Sequence, residues 1–174
     1  FGGRAMTLNY EKAVEKNYYL GIKFVRGAYM EKERARAVVK GYPSPIQPDK
    51  NATDQSFDDG IRFAISHLDR IYIFNGTHNE NSTRLFAELM EYYKVAKDDE
   101  RCFFSQLYGM SDNISFTLAN LGYNVAKYVP YGPVGAVLPY LIRRAEENTA
   151  IKGQTNRELG LIRQEIHRRR KSKK

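Results

Sequence analysis

Tyr140, Arg143, Arg144 and Glu147 fall at i, i+3, i+4 and i+7 of one amphipathic run. On a 3.6-residue period a phenol, two guanidinium groups and a carboxylate therefore share one face. Arg presents a planar fork of donors that matches a carboxylate bidentately, and it keeps its charge at any working pH. Paired arginines beside Tyr128, at the end of an apolar, strand-like run, point to a site for a small carboxylic acid. Glu147, one turn on from Arg143, is placed to hold the pair. A solvated face with a local salt bridge accounts for the same four residues, and the motif alone does not decide between them.

Other residues with useful chemistry gather where strand-like runs end. Lys23 lies within the first such run and Arg26, Gly27 and Ala28 at its mouth; Thr77 and His78 follow the second, Gln106 and Leu107 end the third, and Tyr128 ends the fourth. Gly27 and Gly76 would let backbone amides approach a phosphate or a ring closely, so such a mouth suits an anionic cofactor. His78 has no second His at metal-ligand spacing, so no metal is expected; it serves either as a donor to a ligand or as a satisfied structural histidine. Ser105 and Ser111 lack a nucleophile-elbow context, which argues against acyl transfer. Of 13 tyrosines, Tyr29, Tyr128 and Tyr140 stand out because they neighbour other candidates.

The elements that must position these residues follow from periodicity. Helical spacing from Leu8 to about Asn17 gives a first helix, and Ile22 to Arg26 is a short, glycine-bounded strand with Lys23 and Val25 on one face. Met30–Lys40 favours a short helix, which the proline-rich 41–51 terminates. Thr53 or Asp54 is the expected cap of the next helix, whose apolar residues are Phe57, Ile61, Phe63, Ala64, Ile65 and Leu68. The pattern then repeats, with strands at 71–74, 102–107 and 124–129, helices at 82–96 and 112–121, and the arginine-bearing helix after Pro133. A last helix over 156–166, with Leu159, Ile162 and Ile166 at helical spacing, is expected to dock and fray into a basic tail. In each unit the polar or glycine-rich loop follows the strand, where α/β barrels and doubly wound sheets place their chemistry. Four βα units make half of an eight-stranded barrel or a small open sheet. No GxGxxG or P-loop signature is present.

With 174 residues, 42% hydrophobic and 28% charged, the chain has the composition of an ordinary globular domain. The net charge of +8 is local: Arg168, Arg169, Arg170, Lys171, Lys173 and Lys174 supply six, leaving +2 for the rest. A basic terminus of this kind is a solvated tail or a contact for phosphate or anionic membrane. The single cysteine, Cys102, excludes an intramolecular disulfide. No run approaches the roughly 20 apolar residues needed to span a bilayer, and no charged-then-apolar leader opens the chain. Because the chain starts at Phe1, a fragment is the expectation.

VRGAYMEKER, YPSPI, GTHNE, FSQLYGMSDN, YVPYGP and LPYLIRRAEEN are long, ordered motifs. Together, from about Tyr18 to Gln154, they resemble the carboxyl-terminal half of proline dehydrogenase. The resemblance implies a flavin-bearing (β/α)8 barrel with FAD, bound non-covalently, at the carboxyl ends of the strands. It also implies oxidation of L-proline to 1-pyrroline-5-carboxylate, with hydride passing from substrate C5 to flavin N5. Carried over position by position, Arg143 and Arg144 would grip the substrate carboxylate. Tyr128 and Tyr140 would wall the ring, with Leu107 and Tyr29 near it. Lys23 would sit by the flavin's reactive nitrogen, at a strand position that is Arg in many bacterial members. Arg26, Gly27, Ala28, Thr77 and His78 match FAD contacts.

The family's first four strands carry further site residues, a lysine, an aspartate and a glutamine, so the expectation here is a half-barrel with half the site, impaired as a lone chain. Residues 1–155 would form that half-barrel and 156–174 the docking helix and tail. A membrane quinone is the electron acceptor the resemblance implies, with peripheral membrane contact and no nucleic acid. The expected location is cytoplasmic, at the inner membrane where that contact is made, and mitochondrial in a eukaryote. Two competitors stand beside it: a non-catalytic anion- or nucleic-acid-binding module using the basic tail, and a self-associating domain that pairs its open sheet edges.

Overall fold

Four short apolar runs, each bounded by turn residues and followed by an amphipathic stretch, fold as alternating strands and helices. The computed structural model describes residues 3–27, 29–150 and 154–171, with side-chain surroundings for all of these except 145–150, 154–159, 161, 162 and 165. In order the elements are α1 (Gly3–Glu15), β1 (Leu20–Phe24), α2 (Met30–Lys40), α3 (Lys50–Ile65), β2 (Ile71–Gly76), α4 (Glu80–Tyr92), β3 (Cys102–Leu107), α5 (Asp112–Asn120), β4 (Val125–Tyr128), α6 (Val134–Ala150) and α7 (Gln154–Lys171). One sheet holds the strands in the order β1-β2-β3-β4. Leu20 lies opposite Ile71, and Ile73 opposite Cys102, in parallel register. Parallel neighbours need a crossover, and the intervening helices supply it.

Alternation along the strands sorts their side chains into two faces. Ile71 and Ile73 of β2 and Cys102 and Phe104 of β3 form one buried cluster with Ile61, Ala64 and Ile65 of α3, Phe86 and Met90 of α4, and Ile114 and Leu118 of α5. The Phe104 ring lies 4.8 Å from that of Phe86 and 5.2 Å from that of Tyr123. Each ring so buried contributes about 1.5–3 kcal/mol. The other face carries Lys23, Tyr72, Phe74 and Phe103, all exposed or half-buried. Phe74 and Phe103 stack there with centroids 5.9 Å apart and planes 18° from parallel.

Several boundaries differ from those the sequence predicts. The first strand opens at Leu20 rather than Ile22, where the Leu20 N–H donates to Arg70 O at 2.8 Å and the ladder with β2 begins. It ends at Phe24, so Arg26 stands in the loop beyond. Alternation along a strand does not depend on where the strand begins, and Lys23, opposite Phe74, keeps the face assigned to it. Helix α3 is capped by Asp49 instead of Thr53 or Asp54: the Asp49 carboxylate accepts from the Ala52 N–H at 2.8 Å. Asp54 is thereby released into the second turn, one turn before Asp58, and the two share a face. Asn79 caps α4, which starts two residues before Ser82 and stops at Tyr92, short of Ala96.

The first compact unit ends at Lys127, and Tyr128 begins the second. In the second, α6 carries Pro139 within it. Helix α7 runs through Arg168, Arg169, Arg170 and Lys171 where a frayed tail was expected, and these cations in its last turn suit the negative end of the helix dipole. Of the apolar positions assigned to docking, Ile166 is exposed, and the side chains of Leu159 and Ile162 lie outside the described residues.

Candidate functional site at the strand ends

Lys23 projects from β1 onto the open face of the sheet, its Nζ 5.6 Å from the centre of the Phe74 ring. Gly76, at the end of β2, makes room for it. A Cβ there would stand 3.0 Å from the Phe24 carbonyl oxygen, 3.0 Å from Val25 Cγ1 and 3.3 Å from Lys23 Cε. Gly76 thus admits the chain's own first strand and the lysine stem, where the sequence suggested room for a ligand. Gly27 differs: a Cβ there meets nothing within 4 Å, so packing within the chain does not require a glycine.

Arg26 leaves β1 and spreads its guanidinium across three elements. Its Nε donates to Asp54 Oδ1 at 2.7 Å, one terminal nitrogen to Thr77 Oγ1 at 2.8 Å and the other to Ser82 Oγ at 2.6 Å. The group also sits 4.0 Å from the centre of the Phe57 ring. Ser82 in turn donates to Asp58 Oδ1 at 2.6 Å, and Lys50 pairs with the second oxygen of Asp54. Burial pushes the Asp54 carboxyl up, but the hydrogen bonds from Lys50 and Arg26 outweigh it and hold the group below the usual carboxylate range. The Arg26 side chain, assigned to a cofactor contact from the sequence, makes these hydrogen bonds within the chain and braces the strand mouth. Asp54, Asp58 and Ser82 were missed from sequence; the i, i+4 carboxylate pair facing a strand end was the available signal.

Thr77 is tied at every polar atom. Its N–H donates to Ser105 O at 3.1 Å, its carbonyl accepts from Gln106 Nε2 at 3.2 Å, and its hydroxyl oxygen accepts from Arg26 and from the Asn79 N–H at 3.1 Å. Gln106 is itself fixed by the Ser115 hydroxyl, which donates to Oε1 at 2.8 Å. The next residue, half-buried His78, has its Nδ1 2.9 Å from Ser111 Oγ. A loop pinned in this way is preorganised before any ligand arrives.

Tyr29 and Ser111 adopt left-handed backbone, with φ 68° and 50°, at the starts of the helices that follow β1 and β3. Such strain costs about 1–3 kcal/mol for a residue with a Cβ and collects at functional sites. Tyr29 is exposed and Leu107 half-buried at the end of β3; Ala28 lies outside the described residues. In the second unit the rings of Tyr128 and Tyr140 meet edge to face at 6.0 Å, and the Arg144 guanidinium lies 5.4 Å from the centre of the Tyr140 ring. Arg144 is half-buried and Arg143 exposed, while the side chain of Glu147 lies outside the described residues. Lys23, Arg26, Thr77 and His78 therefore belong to the first unit, and Tyr128, Tyr140, Arg143 and Arg144 to the second.

Among the described residues no group of three or more His, Cys, Asp or Glu side chains is placed to hold a metal ion, and no helix is long and apolar enough to cross a membrane. What the strand ends offer is an ammonium over a stacked aromatic pair beside a rigid Thr-His loop. The second unit offers the Arg144 guanidinium beside two phenols, with Arg143 exposed next to it in the helix. The first suits a planar anionic group and the second a carboxylate.

A family model described as proline dehydrogenase matches residues 3–157. Proline dehydrogenase 1, mitochondrial, of Homo sapiens is 42% identical over 167 residues, which cover 94% of this chain and 28% of that protein. Hydroxyproline dehydrogenase of Homo sapiens is 40% identical over 163 residues, covering 91% and 35%. Among solved structures, proline utilization A from Bdellovibrio bacteriovorus, inactivated by N-propargylglycine, is similar with a TM-score of 0.77 at 26% identity, over 86% of this chain and 15% of that one. The chain thus spans 28% and 35% of the lengths of these two curated relatives. Its parallel sheet with alternating helices is that of the (β/α)8-barrel family.

Proposed function

The chain belongs to the proline dehydrogenase family, and from that premise we propose that it forms part of an FAD-dependent oxidoreductase acting on L-proline. The family match over residues 3–157 carries this reading. The product is 1-pyrroline-5-carboxylate: the substrate loses a hydride from C5 and a proton from its ring nitrogen, leaving a C=N bond. FAD, when bound, supplies the two-electron acceptor.

The residues present fit that group. Lys23 stands exposed over the Phe74 ring, on a face where Phe74 and Phe103 are stacked flat. A Cβ on Gly27 would meet open space, which leaves room beside its backbone for a ligand to approach. Lys23, Gly27, Ala28, Thr77 and His78 would hold the cofactor, Lys23 by placing a positive charge where reduction adds negative charge. Arg26 contributes by bracing Thr77. Arg143 and Arg144 would take the substrate carboxylate as a bidentate pair, with Tyr128 and Tyr140 of the same unit against the pyrrolidine ring; Leu107 and Tyr29 are the residues of the first unit that we assign to the substrate.

As a lone chain the protein is expected to turn over poorly, because site residues act as a unit. The electron acceptor is a membrane quinone reached by peripheral contact, and the location is mitochondrial in a eukaryote, as the printed name of the human relative supports.

Titrating the purified chain with FAD tests the cofactor half, with quenching of flavin fluorescence as the signal. Activity is tested by joining the chain to the amino-terminal part of the human enzyme's barrel and following proline-dependent dye reduction. The hybrid is expected to turn over, and Arg143→Ala or Arg144→Ala to lower kcat/KM by about 100-fold or more, the loss of a paired charge contact. A hybrid inert towards proline, or one indifferent to both arginines, overturns the reading. The near-equal identity to human hydroxyproline dehydrogenase favours a second substrate, so trans-4-hydroxy-L-proline belongs in the same assay.

A further inference from the structure

We propose that Ser111 is a positioning residue that sets the orientation and protonation of the His78 ring through its hydroxyl. This rests on the reading of His78 as a cofactor-site residue. A serine before a helix ordinarily has extended backbone, and its oxygen accepts from the second or third amide of that helix. Ser111 does neither. Its φ and ψ are 50° and 44°, and its side chain makes no cap bond to α5. The hydroxyl lies instead 2.9 Å from His78 Nδ1, on a residue 33 positions away in sequence. Only 4% of Ser111 is exposed, so water does not substitute for that contact.

The left-handed turn is held from both sides. Lys127 Nζ donates to Met110 O at 2.7 Å and to Asp112 Oδ1 at 2.7 Å, fixing the residues on either side of Ser111. Helix α5 thus begins without its serine cap and with a strained non-glycine residue, and the net effect of both is to aim one hydroxyl at one imidazole. Once Nδ1 is engaged the ring cannot rotate about its Cβ–Cγ bond without breaking the contact. The partner at Nδ1 also governs which nitrogen carries the proton.

The test uses the full chain and two variants. In Ser111→Ala the strained backbone remains and the hydroxyl is lost; in Ser111→Gly the strain is relieved as well. The ring nitrogens of His78, identified among the three histidines by their disappearance in His78→Gln, are followed by 15N NMR without ligand. Both variants are expected to change its Nδ1 and Nε2 shifts, because the partner at Nδ1 decides which nitrogen carries the proton. FAD affinity is then measured by fluorescence quenching. Both variants are expected to bind about 2- to 10-fold more weakly, the effect of one neutral hydrogen bond, although Ser111→Gly melts higher than Ser111→Ala. Unchanged ring-nitrogen shifts of His78 in both variants overturn the proposal, as does unweakened FAD binding by Ser111→Gly. Failure of the unsubstituted chain to bind FAD counts against the proposed function instead, and the NMR arm still decides the role of Ser111.

Discussion

Replacing Arg26 by alanine removes hydrogen bonds to Asp54 at 2.7 Å, Thr77 at 2.8 Å and Ser82 at 2.6 Å, together with the guanidinium's place 4.0 Å from the centre of the Phe57 ring. A charge-assisted bond contributes about 1.5–3 kcal/mol, each neutral partner about 1 kcal/mol, and the ring contact about 0.5–1 kcal/mol. The simple total overshoots, because Asp54 and Asp58 are 25% and 23% exposed and recover part of their hydration. The expected loss is therefore about 2–4 kcal/mol. Urea unfolding followed by far-UV circular dichroism measures it directly, and the melting temperature should fall by about 4–16 °C for a chain of this size. Arg26→Lys keeps the charge without the planar fork, so it should recover less than half of the loss. In a double-mutant cycle, Arg26→Ala and Asp54→Ala should couple by about 0.5 kcal/mol or more. An Arg26→Ala chain within about 0.5 kcal/mol of the parent, within the range of an inert surface change, would refute the idea that this network braces the strand mouth.

The same network predicts a pH dependence. The folded pKa of Asp54 is depressed, so its contribution is fully present above the ordinary aspartate value of 3.8 and disappears as pH falls through the folded pKa. Acid unfolding of Asp54→Asn should accordingly be flatter below that value, as read by circular dichroism. Phe104→Ala should cost about 3–5 kcal/mol, since it empties a fully buried site between Phe86 and Tyr123. Gly76→Ala drives a methyl group to 3.0 Å from a backbone oxygen that cannot yield, and should cost about 1–3 kcal/mol in denaturant titration. Burial pushes the Cys102 thiol up to about 12, with the Asp99 charge adding to it. It should resist iodoacetamide at neutral pH until the chain unfolds. Because this pKa is raised, stability should hold below the ordinary thiol value of 9.0 and decline as pH climbs toward about 12.

Much of the scaffold was legible from local pattern. The strand at 102–107 and the helix at 30–40 stand where periodicity and turn residues put them, because both signals are written within a few residues. Boundaries moved where a tertiary partner intervened. Leu20 joined β1 because Arg70 supplied a carbonyl, and α3 began early because Asp49 met the Ala52 amide. Lys23 kept its face because alternation along a strand does not depend on where the strand begins. The face shared by Tyr140 and Arg144 was likewise readable from helical spacing, and their contact within the second unit agrees with it.

The sequence by itself determined the alternating architecture, the parity that sends Lys23 to the open face, and, through long ordered motifs, the family. Each depends on neighbours within a turn or a strand, or on identity at matched positions. Only the tertiary structure decided where Arg26 spends its donors, which side chain meets His78, and what fills the space above Gly76. Those partners lie 28, 51 and 56 residues from Arg26 and 33 from His78. No periodic signal spans such separations; the parallel crossovers bring these residues together, and the hydrogen bonds form because buried donors and acceptors left unpaired would cost more than the strain of meeting.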